Sequence, residues 1–314
     1  MSELVMDVGF HNAFDDNLRR MVQQTQSKLK DKVNVTSINA EYQFIDKLGK
    51  VNVRKDNTAY AAISDFEPEY TRRRLSADRF IFDMKLDKNQ MRKLVNDAEY
   101  QSSMVNQMKF AFERKIDKTI YEALDASVYT GKAGTTLVTA ATDGVVTIDA
   151  TGGTTYEKLR EAKRTLASKG WTTQDGYSIY HLITEQELDS YEQELEMVSS
   201  LYTGSNAVKR DGMGQITGAL GVDFVVFPSS PSQSALDPPM IDVSVTTRKC
   251  FFMVGKSGDQ GFPGAITLGL ERMLEWDLVK HPTAHDTWIL KGQMNLGAVR
   301  EHGDSVEIFN TTTL

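Results

Sequence analysis

The chain has 314 residues, 40% hydrophobic and 25% charged, an ordinary composition for a soluble protein with one large core or two lobes sharing one. A net charge of −7 and a pI near 5.4 exclude a surface made to grip nucleic acid, which needs clustered Lys and Arg, though not one that encloses it loosely. Cys250 is the single cysteine, excluding an intrachain disulfide and a Cys-based zinc site and suiting a reducing compartment; no apolar run approaches a membrane span, and Met1-Ser2-Glu3-Leu4 lacks the basic start of a secretory signal.

Residues 1–40 mix charge and amides, with Phe14, Leu18, Met21 and Val22 spaced for one short amphipathic helix. From Glu41 to Leu86 the pattern is a long charged hairpin. One strand alternates around Val51 and Val53 after a turn at Leu48-Gly49, and a second runs from Arg72 to Leu86 through Phe80, Phe82 and Met84. Asn57 to Thr71 between them reads as a loose tip. Two polar strands are marginal alone in water, so a partner is needed to hold them.

Tyr100, Met104, Met108, Phe112, Ile116, Ile120 and Leu124 recur every four residues and predict a helix over Ala98 to Asp125. Its length is roughly 40 Å at 1.5 Å per residue. The apolar stripe reads as core rather than as a cofactor box. Lys132 to Gly153 reads as a loop with one strand at Gly144 to Ile148. Thr154 with Glu157, and Thr184 with Glu187, are capping boxes for two helices, the first stopped by Gly170. Tyr177 to Ile183 between them is extended. Tyr202 to Gly214 is a glycine-marked loop, Gly221 to Phe227 a buried strand and Ser229 to Pro239 a Ser/Pro loop. Strands follow at Cys250 to Val254, Ile266 to Leu270, Thr287 to Leu290 and Ser305 to Phe309.

Motifs for chemistry fail on spacing. Gly212-Met213-Gly214 with Gly218 and Gly221 misses the dinucleotide fingerprint, because the third glycine is late and a strand follows. Gly131 to Thr136 has the P-loop residue types in the wrong order. His281 and His285, beside Asp286 and ahead of His302, would need a helix that Pro282 breaks. Glu185, Glu187, Asp189, Glu192, Glu194 and Glu196 read as a solvated acidic helix face that resists phosphate. Cys250 reads as a buried strand thiol. No serine sits in a nucleophile-elbow context. No catalytic, cofactor or metal site is expected.

The order of segments resembles the major capsid proteins of tailed bacteriophages, an α+β family with the Hong Kong 97-like fold. The likeness rests on that order, on Glu161 to Trp171 followed by Leu182 to Leu188, and on Ile216 to Val226. The resemblance implies an N-terminal arm (1–40), an extended hairpin or E-loop (41–97), a spine helix with a peripheral domain (98–217), an axial domain (218–279) and C-terminal strands returning to the peripheral domain (280–314). It implies a non-enzymatic, cofactor-free shell of pentamers and hexamers around DNA that expands on maturation, assembled in the host cytoplasm. A portal and a decoration protein are the further partners such a shell can take; Met1 lies too close to the hairpin for a fused scaffolding segment, which implies a separate scaffolding protein or none. The alternative is an encapsulin-like compartment enclosing an enzyme. Lys50, Arg54, Lys55, Glu67, Glu69, Arg72, Arg73, Arg74 and Arg79 are the expected inter-subunit contacts, with the Arg72 to Arg74 triplet expected to meet a neighbour's carboxylates. Lys–Asn cross-linking by Lys50, Lys55, Asn57 or Asn295 is not implied.

Overall fold

The computed structural model describes residues 24–38, 40–49, 70–86, 98–150, 153–194, 208–228, 241, 247–256, 264–271, 275–280 and 287–312. The chain divides into two compact units. One comprises Met1–Ser27, Phe80–Lys115 and Met273–Met294, the other Lys28–Arg79, Ile116–Arg272 and Asn295–Leu314.

The long helix forms where its four-residue apolar repeat places it, as α1 (Ala98–Asp125). Met108, Phe112, Ile116, Ile120 and Leu124 are all buried along one stripe, the face that an i, i+4 repeat aligns. In the first unit, β14 (Glu275–Lys280) runs antiparallel to the start of β15 (Trp288–Arg300), from Glu275 opposite Gln293 to Lys280 opposite Trp288. A Cβ on Gly292 would strike Met108, so the strand meets the helix with no side chain between.

The second unit is built on a seven-stranded sheet in the order β7-β16-β12-β8-β11-β10-β9. Its strands are β7 (Val146–Ala150), β8 (Ile179–Thr184), β9 (Val208–Arg210), β10 (Ile216–Ala219), β11 (Val222–Phe227), β12 (Thr247–Val254) and β16 (Val306–Thr312). β8 and β11 pair in parallel from Ile179 opposite Val222 to Thr184 opposite Phe227. Helices α2 (Tyr156–Ser168) and α3 (Glu185–Gln193) supply Leu159, Ala162, Leu166, Leu188 and Tyr191 to one cluster with Ile183, Val222, Phe252 and Phe309. Each such large side chain contributes about 1.5–3 kcal/mol on burial. Wholly buried His181 stacks on Phe252 with ring centres 3.8 Å apart. Burial lowers its pKa to about 3, so it is a neutral core aromatic.

A smaller sheet, β2-β3-β5-β6, joins β2 (Tyr42–Leu48), β3 (Tyr70–Ser76), β5 (Val128–Thr130) and β6 (Thr136–Val138). One side packs Leu75 and Val128 with Ile38 and Val299, supported by Ile45 and Val138. β1 (Asn34–Ser37) lies parallel to β13 (Ile266–Leu270), which pairs antiparallel with the end of β15.

Several local expectations change. The second hairpin strand is two, β3 and β4 (Asp78–Leu86), separated at Ala77, and it begins at Tyr70 rather than after a loose tip at Thr71. The cap of α2 is Thr155, whose side chain accepts from Lys158 N; Thr154 instead donates its hydroxyl to the Glu187 carbonyl at 3.1 Å. The capping box at Thr184 and Glu187 forms, and Gly170, at φ 95°, follows the end of α2. The stretch from Lys132 holds two strands, β6 and β7, not one. The short Phe14 helix, the Val51–Val53 strand and the Ser229–Pro239 loop lie outside the described residues.

Candidate assembly surface

Strand pairing sorts the base of the hairpin into two faces. Phe44 stands opposite Arg74, Asp46 opposite Arg72 and Leu48 opposite Tyr70, while Arg73 pairs with Thr130 and Tyr129 with Leu137. Because side chains alternate along a strand, Tyr42, Phe44, Asp46, Leu48, Tyr70, Arg72, Arg74, Tyr129 and Leu137 share the outer face. Arg73 points to the inner one.

On the outer face Arg72 donates Nε to Asp46 Oδ1 at 2.5 Å and Nη2 to Oδ2 at 3.2 Å. This bidentate pair holds the Asp46 carboxyl below its usual range. The Arg72 guanidinium also lies 4.9 Å over the Phe44 ring. Arg74 lies 4.3 Å over Tyr129 and 5.6 Å over Tyr42. Such stacking is worth roughly 0.5–1 kcal/mol at an exposed site.

On the inner face Arg73 ends on Asp143, which also accepts from Arg300 Nε at 2.9 Å. The Arg300 side chain has no solvent exposure, and its Nη1 donates to the carbonyls of Leu124 at 2.7 Å and Ala126 at 3.0 Å. A cation therefore closes the C-terminal end of α1, where the helix dipole is negative. Asp143 joins β3 to β15 at a single carboxylate, and Arg300 carries the link on to the end of α1. The later part of the arm is tied down in the same manner. Buried Asp117 on α1 accepts from the backbone N–H groups of Lys28 and Leu29, both at 3.0 Å, and Lys28 Nζ donates to Val226 O at 2.6 Å.

Of the nine expected contact residues, Arg72 and Arg74 lie together on the outer face, Arg73 is buried against Asp143, and Arg79 is exposed on β4. Lys50, Arg54, Lys55, Glu67 and Glu69 lie outside the described residues. Within the chain the triplet already has partners: a carboxylate for Arg72, a buried carboxylate for Arg73 and two rings for Arg74. Sequence reasoning missed Asp46, Asp117, Asp143 and Arg300. Asp143 is 70 and 157 residues from its two arginines, and no local pattern signals such a pairing.

The motifs that failed on spacing remain structural. Gly214, at φ 89°, turns β9 into β10. Cys250 is wholly buried and burial raises its pKa. Glu187 of the acidic helix is buried and meets Arg248 Nη1 at 3.0 Å, while Glu185 and Asp189 are exposed. His281 and His285 lie outside the described residues, and His302 is lowered to about 4, chiefly by burial. Among the described residues no cluster of potential metal ligands occurs, and no helix is long and apolar enough to cross a membrane.

The sequence matches the profile described as phage capsid protein over residues 6–310. No curated protein matches it. Among solved structures, the capsid of the cyanophage P-SCSP1u is similar at 11% identity and TM-score 0.63, over 99% of this chain and 95% of that one. The mature capsid of bacteriophage PhiM1 is similar at 11% identity and TM-score 0.62, over 95% and 91%. The capsid of Ralstonia phage GP4 is similar at 9% identity and TM-score 0.62, over 95% and 94%. At these identities the likeness is one of fold.

Proposed function

Because the chain belongs to the phage capsid protein family, we propose that identical copies close into five- and six-fold rings and these into an icosahedral head around a DNA genome. The protein is a structural major capsid protein with an α+β, Hong Kong 97-like fold. Its proposed place is the virion, its role non-enzymatic, and its assembly takes place in the host cytoplasm. Heterologous contacts between copies generate such rings. Residues 1–40 act as the arm, 41–97 as the E-loop lying over a neighbouring copy, and α1 as the spine. Lys50, Arg54, Lys55, Glu67, Glu69, Arg72, Arg74 and Arg79 contribute contacts between copies, each exposed pair worth under about 1 kcal/mol. Arg73 supports them from inside, through Asp143. Weak contacts repeated many times let misplaced subunits leave before the shell closes, and a change between two packings of arm and hairpin accommodates expansion. A scaffolding protein, a portal and a decoration protein complete the particle.

The match across residues 6–310 carries this reading, and it favours a virion over an enzyme-filled compartment. The full chain, expressed alone and examined by size-exclusion chromatography and negative-stain electron microscopy, is expected to give closed shells, tubes or capsomer rings. A monomer that persists with crowding agents and with the neighbouring phage genes co-expressed would refute it. A co-purifying enzyme inside closed shells would instead identify a compartment.

A further inference from the structure

The outer face of the β2-β3-β5-β6 sheet leaves large side chains in water that a monomer has no reason to expose. Tyr70 is 76% exposed, Leu48 57%, Leu137 55%, Tyr42 48% and Tyr129 39%. The strand register places all five on one side of one sheet. Exposed apolar residues scattered singly are ordinary, whereas several gathered on one face mark a contact surface. The composition is also that of an interface centre, where Tyr and Arg are enriched and carry most of the binding energy.

At the centre is Arg74. Unlike Arg72 and Arg73, it has no carboxylate partner among the described residues, and its Nε is buried with no acceptor. Tyr129 and Tyr42 hold the guanidinium in place by stacking, so little side-chain entropy remains to be lost when an acceptor arrives. The partner therefore brings a carboxylate and apolar surface.

We propose that this face, with Arg74 at its centre and Tyr42, Leu48, Tyr70, Tyr129 and Leu137 around it, docks a carboxylate-bearing surface of a second copy of this chain. The choice of a second copy rests on the shell reading above and on charge. Each copy carries 43 acidic against 36 basic residues and so has carboxylates in excess to offer an unpaired arginine. The contact extends beyond the hairpin to β5 and β6, which the sequence does not mark as contact elements.

The test uses the full chain with Leu137→Cys. Cys250 is wholly buried, so the new thiol is the reactive one. Maleimide labelling is expected to be at least about tenfold slower in assembled shells than in subunits kept dissociated at low concentration. Equal labelling in both states overturns the proposal. So does slow labelling in both, which means that the chain's own residues cover the face. Arg74→Glu, confirmed folded by circular dichroism and its melting curve, is expected to lower the assembled fraction by at least about tenfold; wild-type assembly by this variant also overturns it. If the wild-type chain forms no shell at all, the shell reading itself fails, an outcome distinct from shells whose Leu137→Cys thiol stays reactive.

Discussion

Asp143 receives two guanidiniums, one from β3 and one from β15, with Arg300 shut off from solvent and Asp143 itself only 6% exposed. Removing the shared carboxylate would leave two buried cations facing each other. Breaking a buried pair in this way costs about 3–5 kcal/mol. Asp143→Ala is therefore expected to lower the unfolding free energy from urea titration by that much, where an exposed change such as Asp46→Ala has a far smaller effect. Glu307 on β16 is another buried carboxylate, with no exposure and, among the described residues, no hydrogen-bond partner for either oxygen. Burial pushes its pKa up to about 8; Lys169, 3.9 Å away, opposes the rise and Glu161 adds to it. The folded carboxyl keeps its proton to about pH 8, whereas an unfolded one loses it near 4.5. Its contribution to stability is thus fully present below about pH 4.5 and is lost as pH rises through about 8. Glu307→Gln, neutral throughout, is expected to flatten the dependence of Tm on pH between 5 and 9. Above pH 8 it should exceed the wild type by about 1–3 kcal/mol, the range for an unsatisfied buried polar group. Identical profiles for the two proteins would rule this out.

The elements differ in how openly the sequence declares them. α1 is legible because five side chains at four-residue spacing are buried on one stripe, and a 28-residue repeat leaves no other period to fit. The capping box at Thr184 and Glu187 forms because both of its bonds lie within four residues. Strands β1, β5 and β6 are only three or four residues long, too short for alternation to register, and partners remote in sequence hold them. Glycine has a comparable hidden role in β15. A Cβ on Gly297 would collide with the Ser76 carbonyl, and backbone cannot swing aside as a flexible side chain can. Gly297→Ala is therefore expected to cost more than the roughly 1–3 kcal/mol usual for overpacking. Among the described residues a Cβ on Gly170 meets nothing within 4 Å, so Gly170→Ala pays only for its φ of 95°, about 1–2 kcal/mol. Comparing the denaturation midpoints of the two variants tests this, and equal losses would show that close approach at Gly297 is not the constraint.

For the whole molecule, net charge and local contacts oppose one another during assembly. Every copy carries −7, so approaching copies repel over a Debye length, about 30 Å at 0.01 M ionic strength and 8 Å at 0.15 M. The apolar side chains of the outer sheet face are indifferent to salt at these concentrations. Raising NaCl over this range is expected to lower the protein concentration at which shells appear by light scattering. The opposite trend would mean that the ion pairs between copies outweigh the repulsion of their net charges.

The sequence by itself determined the α+β class, the order of segments, the long helix, the Thr184 helix cap and the absence of recognisable catalytic motifs, because each depends on residues near one another along the chain. Its likeness to phage capsid proteins was legible from that same order. Only the tertiary structure decided that the Arg72 to Arg74 triplet splits across two faces, that Asp143 joins Arg73 to Arg300, and that β8 pairs in parallel with β11 across some forty residues of chain. Strand alternation turns neighbours in sequence to opposite sides, and pairing between distant strands leaves no periodic trace in either one. A charge cluster read along the chain therefore gives the residues but not the surface to which each belongs.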